Sequence, residues 1–115
     1  MINKVIIMGN VASDIELKTT KDGVSVISFT LAHNDKVKKA HFFSVVAWRQ
    51  TAEFIAKFFT KGKPMLICGE LQTREWEAPD GKRKTVEILA QEIHFIEGRK
   101  EDKEDKETEE SGLPF

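Results

Sequence analysis

The sequence predicts an all-β fold class, mainly β with one helix, closed into a small barrel. Three observations carry that expectation. Segments rich in Val, Ile and Phe recur between residues 3 and 95, separated by turns of Gly, Asp, Asn and Lys. Only one segment, residues 51–59, has apolar residues spaced three and four apart. Two strands change apolar phase by one residue, the mark of a bulge, and tightly curled sheets need bulges.

The first strand spans residues 3–8, and Gly9-Asn10 breaks or bulges it before a short continuation at residues 15–17. Lys21-Asp22-Gly23 is a turn. The second strand covers residues 24–32; Val24 and Val26 share one face, then Ile27, Phe29 and Leu31 the other. That slip predicts a bulge there. Residues 34–39 are polar and basic and read as a loop, and residues 40–48 as the third strand. In residues 51–59, Ala52, Ile55, Phe58 and Phe59 form one apolar helix face, which Lys61-Gly62 ends. Lys63-Pro64 opens the fourth strand, which runs to Trp76. Ala78-Pro79-Asp80-Gly81 is a turn, and residues 85–95 are the fifth strand, with a second slip between Ala90 and Ile93. Five strands with a helix between the third and fourth is the plan of the OB-fold, a five-stranded Greek-key barrel.

Charge divides the chain. Residues 1–100 hold 16 basic and 12 acidic residues, whereas residues 101–115 hold two basic and seven acidic ones. A basic body with an acidic appendage points to nucleic-acid contact. From Gly98 on, no apolar residue appears before Leu113, so a disordered acidic C-terminal tail is expected. The domain reading is an OB-fold domain at 1–98 and a disordered acidic tail at 99–115. The tail closes on Ser111-Gly112-Leu113-Pro114-Phe115. A Leu-Pro-Phe tip on a solvated tail has no core to enter and reads as a partner-binding element.

Cys68 is the one cysteine, which precludes an intramolecular disulfide and a cysteine-based metal cluster. Placed between Ile67 and Gly69, it is expected to be a buried, inert thiol. No stretch approaches the ~20 apolar residues of a membrane span, and no signal peptide is evident. A cytoplasmic protein is expected.

The informative residues are aromatics on the wrong face for a core. On the fourth strand Met65, Ile67, Gly69 and Leu71 share one face, and Glu70, Gln72, Arg74 and Trp76 the other. Trp76 therefore stands on the polar face beside an arginine. On the third strand Phe42, Ser44, Val46 and Trp48 share one face, and Phe43, Val45 and Ala47 the other. A barrel strand needs one apolar face; the second must meet a helix, a partner subunit or a ligand. Lys4, Lys36, Lys38, Lys39, Arg49, Arg74, Lys82, Arg83 and Lys84 surround these rings. Cations that take phosphates and rings that accept any base bind single strands without reading sequence.

Signals for catalysis are poor. His33, His41 and His94 show no metal-ligand spacing, and there is no Gly-rich phosphate loop or nucleophile elbow. Glu87 and Glu92 read as solvent-face strand residues. A non-enzyme with no catalytic residue, metal or cofactor is expected.

Taken in order, several stretches resemble one family. They are Asn3-Lys4-Val5-Ile6-Ile7-Met8-Gly9-Asn10, Phe29-Thr30-Leu31-Ala32, Val45-Val46-Ala47-Trp48-Arg49, Lys61-Gly62, and Gly69-Glu70-Leu71-Gln72-Thr73-Arg74-Glu75-Trp76. Together they resemble the bacterial and phage single-stranded DNA-binding proteins over nearly all of residues 1–97 and again at the tip. The resemblance implies an OB-fold homotetramer that wraps single-stranded DNA. It places stacking aromatics at Phe42, Trp48 and Trp76, and phosphate-contacting bases at Lys4, Lys61 and Arg74. It makes Leu113, Pro114 and Phe115 a dock for replication, recombination and repair proteins. Its setting is the bacterial cytoplasm and nucleoid, with a phage origin the variant that a short chain suggests.

Three departures stand out. A tryptophan common in the loop after the second strand has no counterpart, Val37 being nearest. The usual Asp-Pro is Asp14-Ile15. Ser111-Gly112 replaces the aspartates beside the tip. The function expected is sequence-independent single-stranded DNA binding and protection, with recruitment of partners through the tip. The alternatives are a primosome-type adaptor or an RNA-binding OB-fold protein.

Overall fold

The computed structural model describes residues 1–96. The expected tail, its boundary near residue 98 and the Leu113-Pro114-Phe115 tip lie outside the described residues. Six strands and one helix follow in the order β1 (Val5–Val11), β2 (Glu16–Thr19), β3 (Ser25–Asn34), β4 (Ala40–Trp48), α1 (Arg49–Phe58), β5 (Pro64–Ala78) and β6 (Gly81–Phe95).

The strands lie in the order β1-β5-β6-β4-β3, and a β1–β3 pairing closes the ring. This is the expected OB-fold. All pairings are antiparallel except β4 with β6. The broken first strand is one barrel position filled by two pieces. Residues 5–10 of β1 pair with β5, then Asn10 and Val11 pair with β3, and β2 continues along the same strand. Gly9 makes this corner possible, because a Cβ there would run into the carbonyl of Ala32.

Every second residue of the strands points inward. Ile27, Phe29 and Leu31 from β3 meet Val45 and Ala47 from β4, Met65 and Ile67 from β5, and Ile88 and Ala90 from β6. Full burial of one such Ile, Leu or Phe is worth about 1.5–3 kcal/mol. The helix adds Ala52 and Ile55, and Phe59 is buried at its C-cap. Phe58, expected on that buried face, is instead exposed. It packs with Phe54 and Phe95 in an aromatic cluster at the surface.

The slip between Ala90 and Ile93 is a bulge, as expected. Cys68 pairs with Glu92 but Gly69 pairs with Ala90, which leaves Gln91 unpaired. The slip in β3 is not a bulge: its register with β2 and β4 is continuous. Ile27, Phe29 and Leu31 face the core, while Val24 and Val26 are half-buried outside it. The phase change there marks two differently covered faces. The β5–β6 hairpin is also longer than expected and stays paired to its two-residue turn at Pro79-Asp80. No helix among the described residues is long and apolar enough to cross a membrane.

Candidate nucleic-acid interface

Register decides which side chains share a face. Val46 of β4 pairs with Leu89 of β6, and Leu89 with Glu70 of β5. Successive residues alternate between faces. Phe42, Ser44, Val46 and Trp48 therefore lie on the same outer side of the sheet as Gln72, Arg74 and Trp76. Phe42 is 65% exposed, Trp48 42% and Trp76 45%. Three large rings thus face out from one continuous sheet surface. Phe42 and Trp48 are six residues apart on one strand, ~20 Å at the usual rise.

Around Trp76 the arrangement is specific. The Arg74 guanidinium sits over the indole, 5.5 Å from its centroid. Arg83 lies directly across the ladder from Trp76 and is ion-paired with Asp80. Beneath Arg74, its Nη2 lies 3.2 Å from Oε2 of Glu87. Glu87 was expected to face solvent, but it is only 6% exposed. It lies on the same outer face, opposite Gln72, and its carboxylate is charge-paired under the arginine. Nothing in the residue pattern signals this, since burial on an outer face comes from the neighbouring side chains. A carboxylate holding a guanidinium from below leaves its planar face free to cover a ring.

The other expected cations are spread around the barrel. Lys82 and Lys84 lie on the opposite face of the hairpin ribbon, across from Glu77 and Glu75. Arg49 follows Trp48 at the other end of β4 and takes a left-handed φ of 57°. Backbone of this kind is costly for a residue with a Cβ, about 1–3 kcal/mol, and tends to mark functional positions. Lys4 is exposed just before β1. The adjacent Asn3 side chain exchanges hydrogen bonds with the Leu71 backbone at 2.8 and 2.9 Å, tying this segment to β5. Lys61 stands exposed in the turn between α1 and β5, where the Gly62 amide donates to the Val11 carbonyl at 2.7 Å.

The loop between β3 and β4 is built around Asp35. Its Oδ1 accepts hydrogen bonds from the Val37 and Lys39 amides, both at 3.0 Å. Its Oδ2 lies 2.9 Å from His41 Nε2. The His41 hydrogen bond, then that from Lys39, holds the Asp35 carboxyl below its ordinary value. A fixed anion thus shapes a turn that displays Lys36, Lys38 and Lys39, all exposed. This role for Asp35 was missed; an Asp that opens a short loop ahead of left-handed Lys38 is the signal that could have found it.

Among the described residues this surface offers flat rings, cations and one buried anchoring carboxylate. It suits stacking and ion pairing with an anionic polymer of planar groups.

A family model described as the single-strand binding protein family matches residues 2–96. The chain is 41% identical over 106 residues to a single-stranded DNA-binding protein of Bacillus cereus, covering 86% of this chain and 62% of the relative. It is 43% identical over 103 residues to single-stranded DNA-binding protein 3 of Clostridium acetobutylicum, covering 84% and 72%. A single-stranded DNA-binding protein of Staphylococcus aureus is 37% identical over 109 residues, covering 89% and 70%.

Proposed function

The chain belongs to the single-strand binding protein family, and from that premise we propose that it grips unpaired DNA of any sequence on the outer face of its barrel. The observation that supports this best is the exposure of Phe42, Trp48 and Trp76 on one sheet surface, with Arg74 laid over Trp76. Each base stacked on such a ring is worth about 1–3 kcal/mol, whatever its identity. Lys4, Arg49, Lys61, Arg74, Lys82, Arg83 and Lys84 take the phosphates. Each phosphate neutralised on a single strand steepens the salt dependence of log K by roughly 0.7.

Duplex DNA hides its base faces in the stack and offers the rings nothing. The protein covers strands exposed in replication, recombination and repair. It works as a homotetramer: Ile6 and Met8 expose apolar side chains on the outer face of β1, and beside residues 5–9 the edge of β1 has no β3 partner. Leu113, Pro114 and Phe115 recruit genome-maintenance proteins. The protein performs no chemistry on the strand.

The test is competition of unlabelled oligomers against fluorescent oligo-dT, read by anisotropy. Mixed-sequence single-stranded DNA should compete within a few-fold of oligo-dT, and duplex of equal length far more weakly. An RNA oligomer that displaces the probe better than matched DNA would replace this reading with an RNA-binding one. Failure of any single strand to bind would leave the adaptor reading.

A further inference from the structure

On the same outer face of β5 but at its β1 side, beside Ile6 and away from the rings, one cluster brings together three metal-ligating side chains of different kinds. A ligand atom each from Cys68, Glu92 and His94 lies within 4.8 Å of the other two. His94 Nε2 is already 3.4 Å from Glu92 Oε1. Contrary to expectation, Cys68 is not sealed in the core but half-buried, and the other two are exposed.

We propose that Cys68, Glu92 and His94 form a binding site for a borderline-soft divalent transition-metal ion, with zinc as the type. The ladder explains how the fold assembles it. Cys68 and Glu92 are direct partners across β5 and β6, and His94, opposite Leu66, is the diagonal neighbour of Cys68 on the same face. The unpaired Gln91 sets this phase. Were the ladder regular here instead of bulged, Gln91 would stand opposite Cys68, and Glu92 and His94 would turn toward the core with Ile67 and Met65.

The donor set fits the ion. Thiolate, imidazole and carboxylate are the three ligand types that zinc takes, at about 2.0–2.3 Å, and a fourth position stays open for water. Two donors on such an ion stand about 3.5 Å apart by tetrahedral geometry. Closing from 4.8 Å needs side-chain rotation only, and the exposed Glu92 and His94 have room for it. A thiolate and a carboxylate together balance the two positive charges. Hard cations such as magnesium, which demand oxygen ligands, are disfavoured by the sulfur and nitrogen. This site shares no residue with the proposed DNA contacts and stands whether or not they hold.

Cobalt(II) is the probe, titrated into the full-length reduced chain with the absorption spectrum recorded. One equivalent should give a thiolate-to-cobalt charge-transfer band and the visible bands of four-coordinate cobalt, and zinc should displace it. Cys68→Ser should abolish the charge-transfer band. Glu92→Gln and His94→Gln should each weaken cobalt binding by at least ~10-fold, the scale seen when even outer ligand partners are lost. Should Cys68→Ser not fold, the two other variants decide the matter. The proposal is overturned if no thiolate band forms at one equivalent. It is overturned equally if band and affinity are unmoved in both Glu92→Gln and His94→Gln, since the thiol would then be acting alone.

Discussion

Arg74 lies between a buried carboxylate and an exposed ring, and each fixes it for its own reason. Glu87 has little access to water, so its carboxylate takes the guanidinium 3.2 Å away as its partner. The indole takes the other face of that guanidinium. Arg74→Ala should therefore act twice. It should destabilise the fold by about 1–3 kcal/mol, the penalty of leaving a buried polar group unpaired, and it should weaken DNA binding. Arg74→Lys keeps the charge but not the planar fork, so it should recover stability better than affinity. Melting curves and oligo-dT titrations of both variants check this, and equal recovery of the two properties would argue against it. Asp35 makes a prediction about pH. Because its carboxyl is held below the ordinary 3.8, its stabilisation of the loop is present above that value and is lost as pH falls through the lowered one. The amide resonances of Val37 and Lys39 should report a titration with its midpoint below 3.8, and Asp35→Asn should remove it.

Among the strands, β6 does the most to organise the surface, through one extra residue. Gln91 lets Ala90 and Ile93 both face inward although they are an odd number of positions apart. Deleting Gln91 should turn the bulge into a regular ladder, with Ile93 still inward and Glu92 still opposite Cys68. Because no core side chain changes face, the loss should stay within the ~0.5–3 kcal/mol of an ordinary single change; a deletion that unfolds the chain would count against this register. The bulge was legible in the sequence because apolar residues changed phase against polar neighbours. The same cue misled in β3, where Val24 and Val26 are apolar on the outer face and no residue is extra. Periodicity reports which side chains are apolar, not which surface covers them. The ends of the hairpin were illegible for a related reason. Charged residues at both of its faces carry no burial signal, so only the pairing itself reveals that the ladder reaches Ala78 and Gly81. Trp76 could be read because a large ring on a polar face breaks the pattern, and Phe42 and Trp48 because their strand is apolar on both faces where a barrel needs one. Glu87 and the Cys68, Glu92 and His94 trio could not, since Arg74 reaches Glu87, and Cys68 reaches Glu92 and His94, only through the register of β5 with β6.

The chain as a unit is a nearly neutral molecule made of opposed parts, a basic barrel sequence followed by seven acidic residues among the last fifteen. Those acids and an incoming strand would compete for the same cations. Removing residues 101–115 should raise affinity for oligo-dT at low salt, with the gain shrinking as salt screens the charges. Equal affinity of the two forms at low salt would dismiss the competition. The proposal as a whole rests on rings that meet bases, and the two tryptophans make this directly visible. Trp48→Phe leaves Trp76 as the one tryptophan, and Trp76→Phe leaves Trp48. In titrations with oligo-dT, emission from each remaining indole should be quenched and should saturate at the same site size. Binding that proceeds with neither indole responding would contradict stacking on this face.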